Sequence, residues 1–353
     1  MTENFEPAFK SVLTDFTPSE LADHLAPHGF TAGEARRLYA HNVQHGRRGF
    51  DVRDLARKKI ERLFKLLQLP SLEVTERRRS PTDGFTKYLF RLHDGLSIEA
   101  VRIPLFDDKY TVCISSQAGC ALACAFCATG RMGFKRNLAT WEIVEQLRVV
   151  REEADRPVRG VVFMGMGEPL LNYDNVVRAA RIISDPSGLA IDGRKITIST
   201  AGVVPAIRRF TAERLPFRLA VSLTAGTSQK RRTLMPVENT WPIEELIAAV
   251  REHAQATRDR VMLEYVAIAG VNCGADDAAA LVELLRGIPV RFNLIEVNDA
   301  SGEFSPPSEM ELKAFRDALQ ALGQPIVRRY SGGKDVYAGC GMLAGAEAAE
   351  AIG

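Results

Sequence analysis

The sequence has little of what marks a secreted or membrane-spanning protein. Its 353 residues include only six cysteines, too few for a disulfide-stabilised scaffold of this length. Nowhere do about eighteen apolar residues follow one another, and the N-terminus lacks a basic start followed by an apolar stretch. We therefore expect a cytoplasmic protein with no membrane partner.

The chain as a whole also lacks an excess of charge of one sign, since 46 Lys and Arg face 44 Asp and Glu, for a net charge of +2. The distribution is uneven, because residues 31–80 contain thirteen Lys or Arg and six Asp or Glu. Such a surface is able to follow the phosphates of a polyanion, although a solvated basic face would have the same composition. Residues 1–80 are therefore predicted to form a basic accessory domain, able to bind a polyanion such as RNA.

Two capping boxes predict that this accessory domain is helical, one from Thr17 to Glu20 and one from Thr31 to Glu34. Gly46 follows a turn that contains histidine, as a helix C-cap does. Residues 70–84 lack periodicity and contain two prolines and a glycine. This composition predicts a linker between the accessory domain and a main domain over residues 85–345.

The main domain is predicted to be α/β, a full or partial parallel (β/α) barrel or a doubly wound sheet. It opens with a hairpin of residues 85–92 and 96–103, turning at Asp94-Gly95. Short β-branched runs then alternate with helical stretches, a pattern typical of parallel strands. The six runs are TVCISSQ, GVVFMGMGE, KITISTAG, RLAVSLTA, VMLEYVAI and VRFNLIEV.

Polar and glycine residues follow five of these six predicted strands. In α/β folds, functional sites form where the carboxyl ends of parallel strands meet, so we expect these residues to line one rim. They are Gln117–Cys120, Gly165–Glu168, Ser199–Thr200, Ser222–Thr224 and Asn298.

Three cysteines stand close together after the first predicted strand of the barrel, as Cys120-x-x-x-Cys124-x-x-Cys127. Three thiolates are able to bind three irons of a 4Fe-4S cluster and leave the fourth iron open to a small ligand. A structural zinc site or a buried group of thiols is the alternative. The spacing and the placement at a strand end favour the cluster.

The three-cysteine loop resembles that of the radical S-adenosylmethionine superfamily. Six blocks in order extend the resemblance to the dual-specificity 23S rRNA and tRNA adenine carbon-2 methyltransferases, and to the related florfenicol-chloramphenicol resistance carbon-8 methyltransferases. The blocks are CISSQAGCALACAFCATGRMGFKRNL, FMGMGEPLLNYDNV, ISTAGVVP, AVSLTA, EYVAIAGVN and AGCGMLAG. The resemblance leaves carbon 2 and carbon 8 open.

The resemblance implies a radical S-adenosylmethionine barrel with Cys120, Cys124 and Cys127 on a 4Fe-4S cluster. It also implies contacts to S-adenosylmethionine from strand ends. These contacts would come from Gly167, Glu168, Ser199, Ser222, Leu223, Thr224 and Asn298. Taken singly, each of these residues is equally typical of an ordinary strand-end cap or turn.

The same resemblance implies three catalytic residues. Cys340 would take a methyl group from one S-adenosylmethionine, and its methylene radical, formed with a second, would add to the adenine. Cys113 would then release the product by forming a disulfide with Cys340. Glu99 occupies the position of the family's proposed proton acceptor, although it could also be an exposed strand carboxylate.

The expected partners are RNA, either rRNA alone or also tRNA, and an electron donor such as flavodoxin or ferredoxin. Two other functions fit the cysteine pattern. One is a radical S-adenosylmethionine enzyme with a non-RNA substrate, which would not need Cys113 and Cys340. The other is a non-enzymatic RNA-binding protein in which Cys340 is a fourth metal ligand.

Overall fold

The N-terminal module is built from three short helices. The computed structural model describes residues 10–299 and 301–344. Both predicted capping boxes are present, since the Thr17 and Thr31 side chains accept from the backbone N–H groups of Glu20 and Glu34. The elements are β1 (Ser11–Val12), α1 (Pro18–Leu25), α2 (Ala32–Tyr39), α3 (Arg57–Leu66) and β2 (Leu67–Gln68), with β1 parallel to β2.

The rest of the chain forms a large, mostly parallel sheet with helices between its strands. Strands that are buried on both faces read as continuous runs of Val, Ile and Leu, as these do. The elements are β3 (Glu73–Arg79), β4 (Thr86–Arg91), β5 (Ser97–Pro104), β6 (Tyr110–Cys113), β7 (Gln117–Gly119), α4 (Ala128–Arg131), β8 (Phe134–Asn137), α5 (Thr140–Glu152), β9 (Val158–Phe163), α6 (Tyr173–Ser184), β10 (Ile196–Thr200), α7 (Val204–Ala212), β11 (Arg218–Ser222), α8 (Ser228–Leu234), α9 (Ile243–Thr257), β12 (Val261–Ala267), α10 (Ala275–Leu284), β13 (Val290–Glu296), α11 (Glu309–Leu319) and β14 (Ile326–Arg329).

The large sheet has ten strands in the order β14, β13, β12, β11, β10, β9, β6, β5, β4, β3. The seven strands from β14 to β6 are parallel, and β5, β4 and β3 continue the sheet in antiparallel fashion. The sheet curls, because Nη1 of Arg329 on β14 lies 3.3 Å from the sulfur of Met164 at the end of β9. No ladder between described residues joins β14 to β3. The fold is therefore a partial barrel.

Helix α5 lies between the sheet and the N-terminal module and is buried along most of its length. The backbone N–H of Trp141 donates to the carboxylate of Asp15 at 3.0 Å. The carboxylate of Glu145 binds Arg48 of the module at 3.2 Å and Arg148 of its own helix at 2.7 Å. These buried polar contacts fix the module against one side of the partial barrel.

Three details of the sequence-based fold were wrong. The predicted linker at 70–84 contains strand β3, whose alternating, charged pattern is that of a sheet edge rather than a loop. The first predicted strand, residues 111–117, is two strands, since β6 ends at Cys113 and β7 pairs with β8 in a small separate sheet. The segment after α11 adds a seventh parallel strand, β14. Residue 345, the predicted end of the main domain, lies outside the described residues.

Candidate active site

The three-cysteine loop follows β7 directly and ends at α4. Cys120 donates its backbone N–H to the carbonyl of Gly133 at 3.1 Å, and Cys127 donates to the carbonyl of Cys124 at 3.1 Å. Gly119, which precedes the loop, has a φ of +73°. A Cβ there would lie 1.9 Å from the carbonyl oxygen of Gly133, so only glycine allows the two chain segments to approach this closely.

The loop cysteines open onto a cavity of about 160 Å³ at the carboxyl ends of the parallel strands, which we call the carboxyl-end cavity. The structure brings five of the seven predicted cofactor contacts to this cavity, together with all three loop cysteines and Cys340. Those five are Gly167, Glu168, Ser199, Ser222 and Asn298. Leu223 and Thr224 are fully buried and are not among its lining residues.

The loop after β9 requires glycine because it packs against the chain between β6 and β7. A Cβ on Gly165 would lie 2.7 Å from the carbonyl of Ile114, and one on Gly167 would lie 2.4 Å from the Cβ of Gln117. Gly167 also has a φ of +96°. The side-chain oxygen of Gln117 accepts the backbone N–H of Glu168 at 2.8 Å, which fixes the start of the next turn.

Glu168 joins two strand ends through its carboxylate. Its oxygens accept the backbone N–H of Leu170 at 2.9 Å and that of Ala201, after β10, at 2.7 Å. Burial raises the pKa of Glu168 to about 7, although these two N–H donors and the Thr200 hydroxyl favour the charged form. A carboxylate has about four acceptor positions, so Glu168 retains capacity for a further donor in the cavity.

Two polar atoms at the carboxyl-end cavity are buried and have no hydrogen-bond partner within the part of the chain that the structure describes. They are Oδ1 of Asn298 and Oε2 of Glu264, and Nη1 of Arg329 lies 3.6 Å from the latter, beyond hydrogen-bond distance. Buried acceptors are normally satisfied, so an orphan pair at one cavity indicates a missing donor. The amino group of S-adenosylmethionine is a donor of the required kind. The residues present therefore fit this cofactor.

Sequence reasoning missed Glu264. It lies in the middle of the apolar run VMLEYVAI and is 4% exposed. Its other oxygen accepts from the amide of Asn293 at 3.0 Å, and Arg329 lies 3.6 Å from its carboxylate. A carboxylate within a buried strand is costly unless paired, and this was the signal that could have identified it.

The loop cysteines are partly buried, and burial raises the pKa of Cys120 to about 12 and also raises that of Cys124. Among the described residues, no three His, Cys, Asp or Glu side chains lie close enough together to hold a single metal ion. Around one zinc ion every sulfur lies about 2.3 Å from the metal, whereas each cysteine of an iron-sulfur cluster binds its own iron. The donor set of three thiols suits a cluster with one open iron.

Cys113 and Cys340 meet at a second, smaller cavity of about 70 Å³, which we call the thiol cavity. Cys340 lines both cavities, so it faces the loop cysteines on one side and Cys113 on the other. Both are free thiols. Burial raises the pKa of Cys113 to about 12, and burial also raises that of Cys340, against the opposing effect of the Arg329 charge.

The chain that follows Cys340 is held by hydrogen bonds to the start of α4. Gly341 accepts the backbone N–H of Ala128 at 2.7 Å, and Leu343 accepts the Thr129 hydroxyl at 2.5 Å. A Cβ on Gly341 would lie 3.0 Å from the carbonyl oxygen of Phe126. The glycines allow close contact with the cysteine loop. Gly345 lies outside the described residues.

Glu99 is buried, with 2% of its surface exposed, so the alternative of an exposed strand carboxylate is wrong. One carboxylate oxygen binds the ammonium of Lys87 at 2.9 Å. The other accepts the backbone N–H of Ala344 at 2.9 Å. In this structure Glu99 anchors the segment that follows Cys340.

Comparison with known proteins places this geometry in a family. A family model described as "Radical SAM superfamily" matches residues 114–285. A Myxococcus xanthus protein named "Probable RNA methyltransferase" is 51% identical over 336 residues, with 94% of each chain covered. A Syntrophobacter fumaroxidans protein named "Dual-specificity RNA methyltransferase RlmN" is 44% identical, covering 93% of this chain and 96% of its own.

Comparison of the fold agrees with the comparison of the sequences. The crystal structure of a radical SAM methyltransferase from Sphaerobacter thermophilus is 38% identical and superposes with a TM-score of 0.88, covering 94% of this chain and 99% of that one. No helix of the described residues is long and apolar enough to cross a membrane. The matched region contains the cysteine loop, the loop after β9 and the ends of β10 and β11. The chain therefore belongs to the radical SAM superfamily and, within it, to the family of dual-specificity RNA methyltransferases.

Proposed function

We propose that this protein methylates a ring carbon of an adenine in RNA by a radical mechanism, with Cys340 as the methyl carrier. One observation carries the proposal: Cys340 lines the cavity of the three loop cysteines and also the cavity of Cys113. A carrier thiol must face both the place where it is methylated and the thiol that later releases it. Two relatives that are 51% and 56% identical to this chain are named probable RNA methyltransferases. These names support RNA as the substrate class.

The cofactors in this proposal are a 4Fe-4S cluster and S-adenosylmethionine, which together supply the one-electron chemistry that an unactivated ring carbon requires. Cys120, Cys124 and Cys127 would hold the cluster. Glu168, Glu264 and Asn298 would bind the polar end of S-adenosylmethionine, since their acceptor atoms face or adjoin the cavity. The apolar side chains of Leu122 and Phe126, which also line it, would exclude water.

Cys340 would act as a thiolate, the nucleophilic form. The guanidinium of Arg329, at the thiol cavity, favours that form and offsets part of the cost of burial. Once the adduct had lost the ring proton to a base such as Glu99 and one electron to the cluster, the Cys113 thiolate would attack the sulfur of Cys340. The S–S bond would form as the bond from that sulfur to the methylene carbon breaks, and the carbon would take a proton to become the methyl group. The resulting disulfide must be reduced for the next turnover. Glu99 stays a proposed proton acceptor, in a position that also fixes the Cys340 segment.

The N-terminal module would bind the RNA. Its exposed cations include several with no carboxylate within 4 Å among the described residues, so their charge is free to meet phosphates. Those cations are Arg36, Arg37, Arg47, Arg53 and Lys58. A flavodoxin- or ferredoxin-type protein would supply electrons, and the cytoplasm is the compartment that we propose.

The test is methylation of rRNA and tRNA fragments by the anaerobically purified protein with S-adenosylmethionine that carries a labelled methyl group. Nucleosides from the digested RNA, separated by mass spectrometry, should include methyladenosine, and standards distinguish carbon 2 from carbon 8. The Cys340 peptide from the same sample should carry one methyl group. An unmodified Cys340 with cofactor cleavage but no methylated RNA would contradict the proposal and favour a non-RNA substrate.

A further inference from the structure

A large cavity lies at the opposite end of the parallel strands from the cysteines. It has a volume of about 740 Å³ and opens where β9, β10 and β11 begin. We call it the amino-end groove. Its lining includes five cations, Lys109, Arg151, Arg159, Lys195 and Arg218. Pockets for small molecules in proteins have volumes of about 300–1,000 Å³, so the groove has the size of a ligand site.

The cations of the groove outnumber the carboxylates that could neutralise them. The two lining carboxylates already have partners, Asp107 with Lys109 at 2.7 Å and Asp192 with Arg194 at 2.9 Å. Arg159, Lys195 and Arg218 have no carboxylate within 4 Å in the described part of the chain. Like charges held together without an intervening anion repel one another, so the groove favours a bound anion.

Arg151 also lines the groove, and the positive charge of Arg159 acts on it. Its guanidinium donates to the backbone carbonyl of Leu189 at 2.6 Å, which turns it toward the lining. Burial lowers its pKa, and the positive charge of Arg159 lowers it further. Both arginines line the groove, and guanidinium groups are the side chains best suited to hydrogen-bond a phosphate.

Four apolar side chains line the groove beside the polar Thr111 and Thr197, and we call these four the apolar floor. They are Val158 and Val162 of β9, with Leu189 and Ile191 from the segment before β10. A ligand that fills the groove therefore combines an apolar or planar part with an anionic part. A nucleotide has both, since its base is planar and its phosphates are charged.

We propose that the amino-end groove binds a nucleotide, with its base against the apolar floor and its phosphates on Arg159, Lys195 and Arg218. The bound nucleotide has two candidate sources, a free nucleoside triphosphate or a nucleotide of an RNA strand. The first source does not depend on the proposed methylation. The second rests on it, because the RNA would then also occupy the carboxyl-end cavity.

An acidic electron donor is the other partner that cations could attract, and the geometry disfavours it. Arg159, Lys195 and Arg218 lie at the starts of their strands. The six residues of β9, at roughly 3.3 Å per residue, place these cations about 20 Å from the strand ends that adjoin the cysteine loop. Electron transfer weakens steeply with distance. A donor protein is therefore expected near the cysteine loop and not at the opposite end of the sheet.

The experiment compares wild type with a groove variant, Arg159→Gln/Lys195→Gln/Arg218→Gln. Its matched control is Arg286→Gln/Lys313→Gln/Arg316→Gln, which removes the same charge from exposed positions on and beside α10 and α11. Calorimetry with ATP tests the free nucleotide. We expect wild type and control to bind ATP, and the groove variant to lose about tenfold or more in affinity, the effect of one lost charged hydrogen bond.

The second arm measures RNA affinity over a series of salt concentrations. If the nucleotide belongs to RNA, the slope of log affinity against log salt falls by about one for each lost phosphate contact, in the groove variant alone. A single variant, Lys195→Glu, repeats both arms with a minimal change, in case the triple variant folds poorly. Thermal melting compares the folding of all the variants.

The proposal is overturned if groove and control variants match the wild type in both arms. It is also overturned if the groove variant binds ATP and RNA normally but receives electrons from flavodoxin more slowly, which would assign the groove to a donor. RNA methylation by the wild type is measured separately. Its failure would count against the proposed function and leave the ATP arm valid.

Discussion

The two ends of the parallel strands hold their polar groups in opposite ways. At the carboxyl end, Glu168 and Glu264 are 3% and 4% exposed and are bound by backbone or buried side chains. At the amino end, Arg159, Lys195 and Arg218 are exposed and have no anionic partner among the described residues. Buried polar groups suit chemistry that must exclude water, whereas free surface charge suits recognition of a charged ligand. The proposed reaction and the proposed recognition of a charged ligand therefore lie at opposite ends of one sheet.

Cys124→Ala should produce the largest difference between the carboxyl end and the amino end of the parallel strands. Loss of one of three thiolates leaves the cluster without a ligand, so iron and acid-labile sulfide content and RNA methylation should all be lost. ATP binding at the amino-end groove should not change. The control is Cys273→Ala, which removes a buried thiol that lines neither cavity at the carboxyl end. Full cluster content in Cys124→Ala would show that these cysteines are not the ligands.

Cys340→Ala should separate two functions of the carboxyl end, because cofactor binding should be kept and methyl transfer lost. The variant keeps the three loop cysteines and should bind the cluster normally. Methylation should fall by at least roughly 10³-fold, because removal of a nucleophile abolishes the covalent route. Iron analysis and nucleoside mass spectrometry on one sample measure both properties. Full turnover without this thiol would exclude it as the carrier.

Lys87→Met should cost more stability than Glu99→Gln. The pair is buried, with side-chain exposures of 11% and 3%. Removing the lysine leaves a buried carboxylate without its partner, a loss of about 3 kcal/mol in the free energy of unfolding. Glutamine at 99 stays neutral and is still able to accept the N–H of Ala344. Urea denaturation measures the difference, and equal losses would contradict this prediction.

Glu168 should make stability depend on pH in the opposite direction from a paired carboxylate. Its pKa is about 7 in the folded state and 4.5 in the unfolded reference. Between these values the folded state retains a proton that the unfolded state loses, so the free energy of unfolding falls as pH rises, by up to about 3 kcal/mol. Glu168→Gln should flatten this dependence, measured by urea denaturation from pH 4.5 to 7.5. The exposed control Glu61→Gln should retain it, and a stability that rises over this range would show that hydrogen bonding outweighs burial.

The sequence predicted the carboxyl end better than the amino end, for a physical reason. Strand periodicity places residues after successive parallel strands on one rim, so the joint position of Glu168, Ser222 and Asn298 follows from the order of the strands. The pairing of Cys113 with Cys340 came from the resemblance alone, since their positions are 227 apart in the chain. The amino-end groove was not predicted, because its cations lie on separate loops and strand starts with no common spacing.

Residues that depend on the curl of the sheet were also missed. Arg329 reaches the thiol cavity only because β14 comes round toward β9, and the sequence PIVRRY does not contain that information. The role of Glu99 as an anchor depends on a hydrogen bond to a residue 245 positions later. Local patterns predict elements and their order, whereas contacts across a curved sheet depend on its curvature.

The hydrogen bonds from Ala128 and Thr129 to Gly341 and Leu343 have a consequence for how the enzyme matures. They join the start of α4, directly after the cysteine loop, to the chain that follows Cys340. Free energy released when a cluster binds that loop is folding free energy for whatever the loop contacts. With the proposed cluster on this loop, we expect iron loading and the ordering of the Cys340 segment to be a single cooperative event. Protein without iron should accordingly offer its carrier thiol to alkylating reagents, and the finished enzyme should protect it.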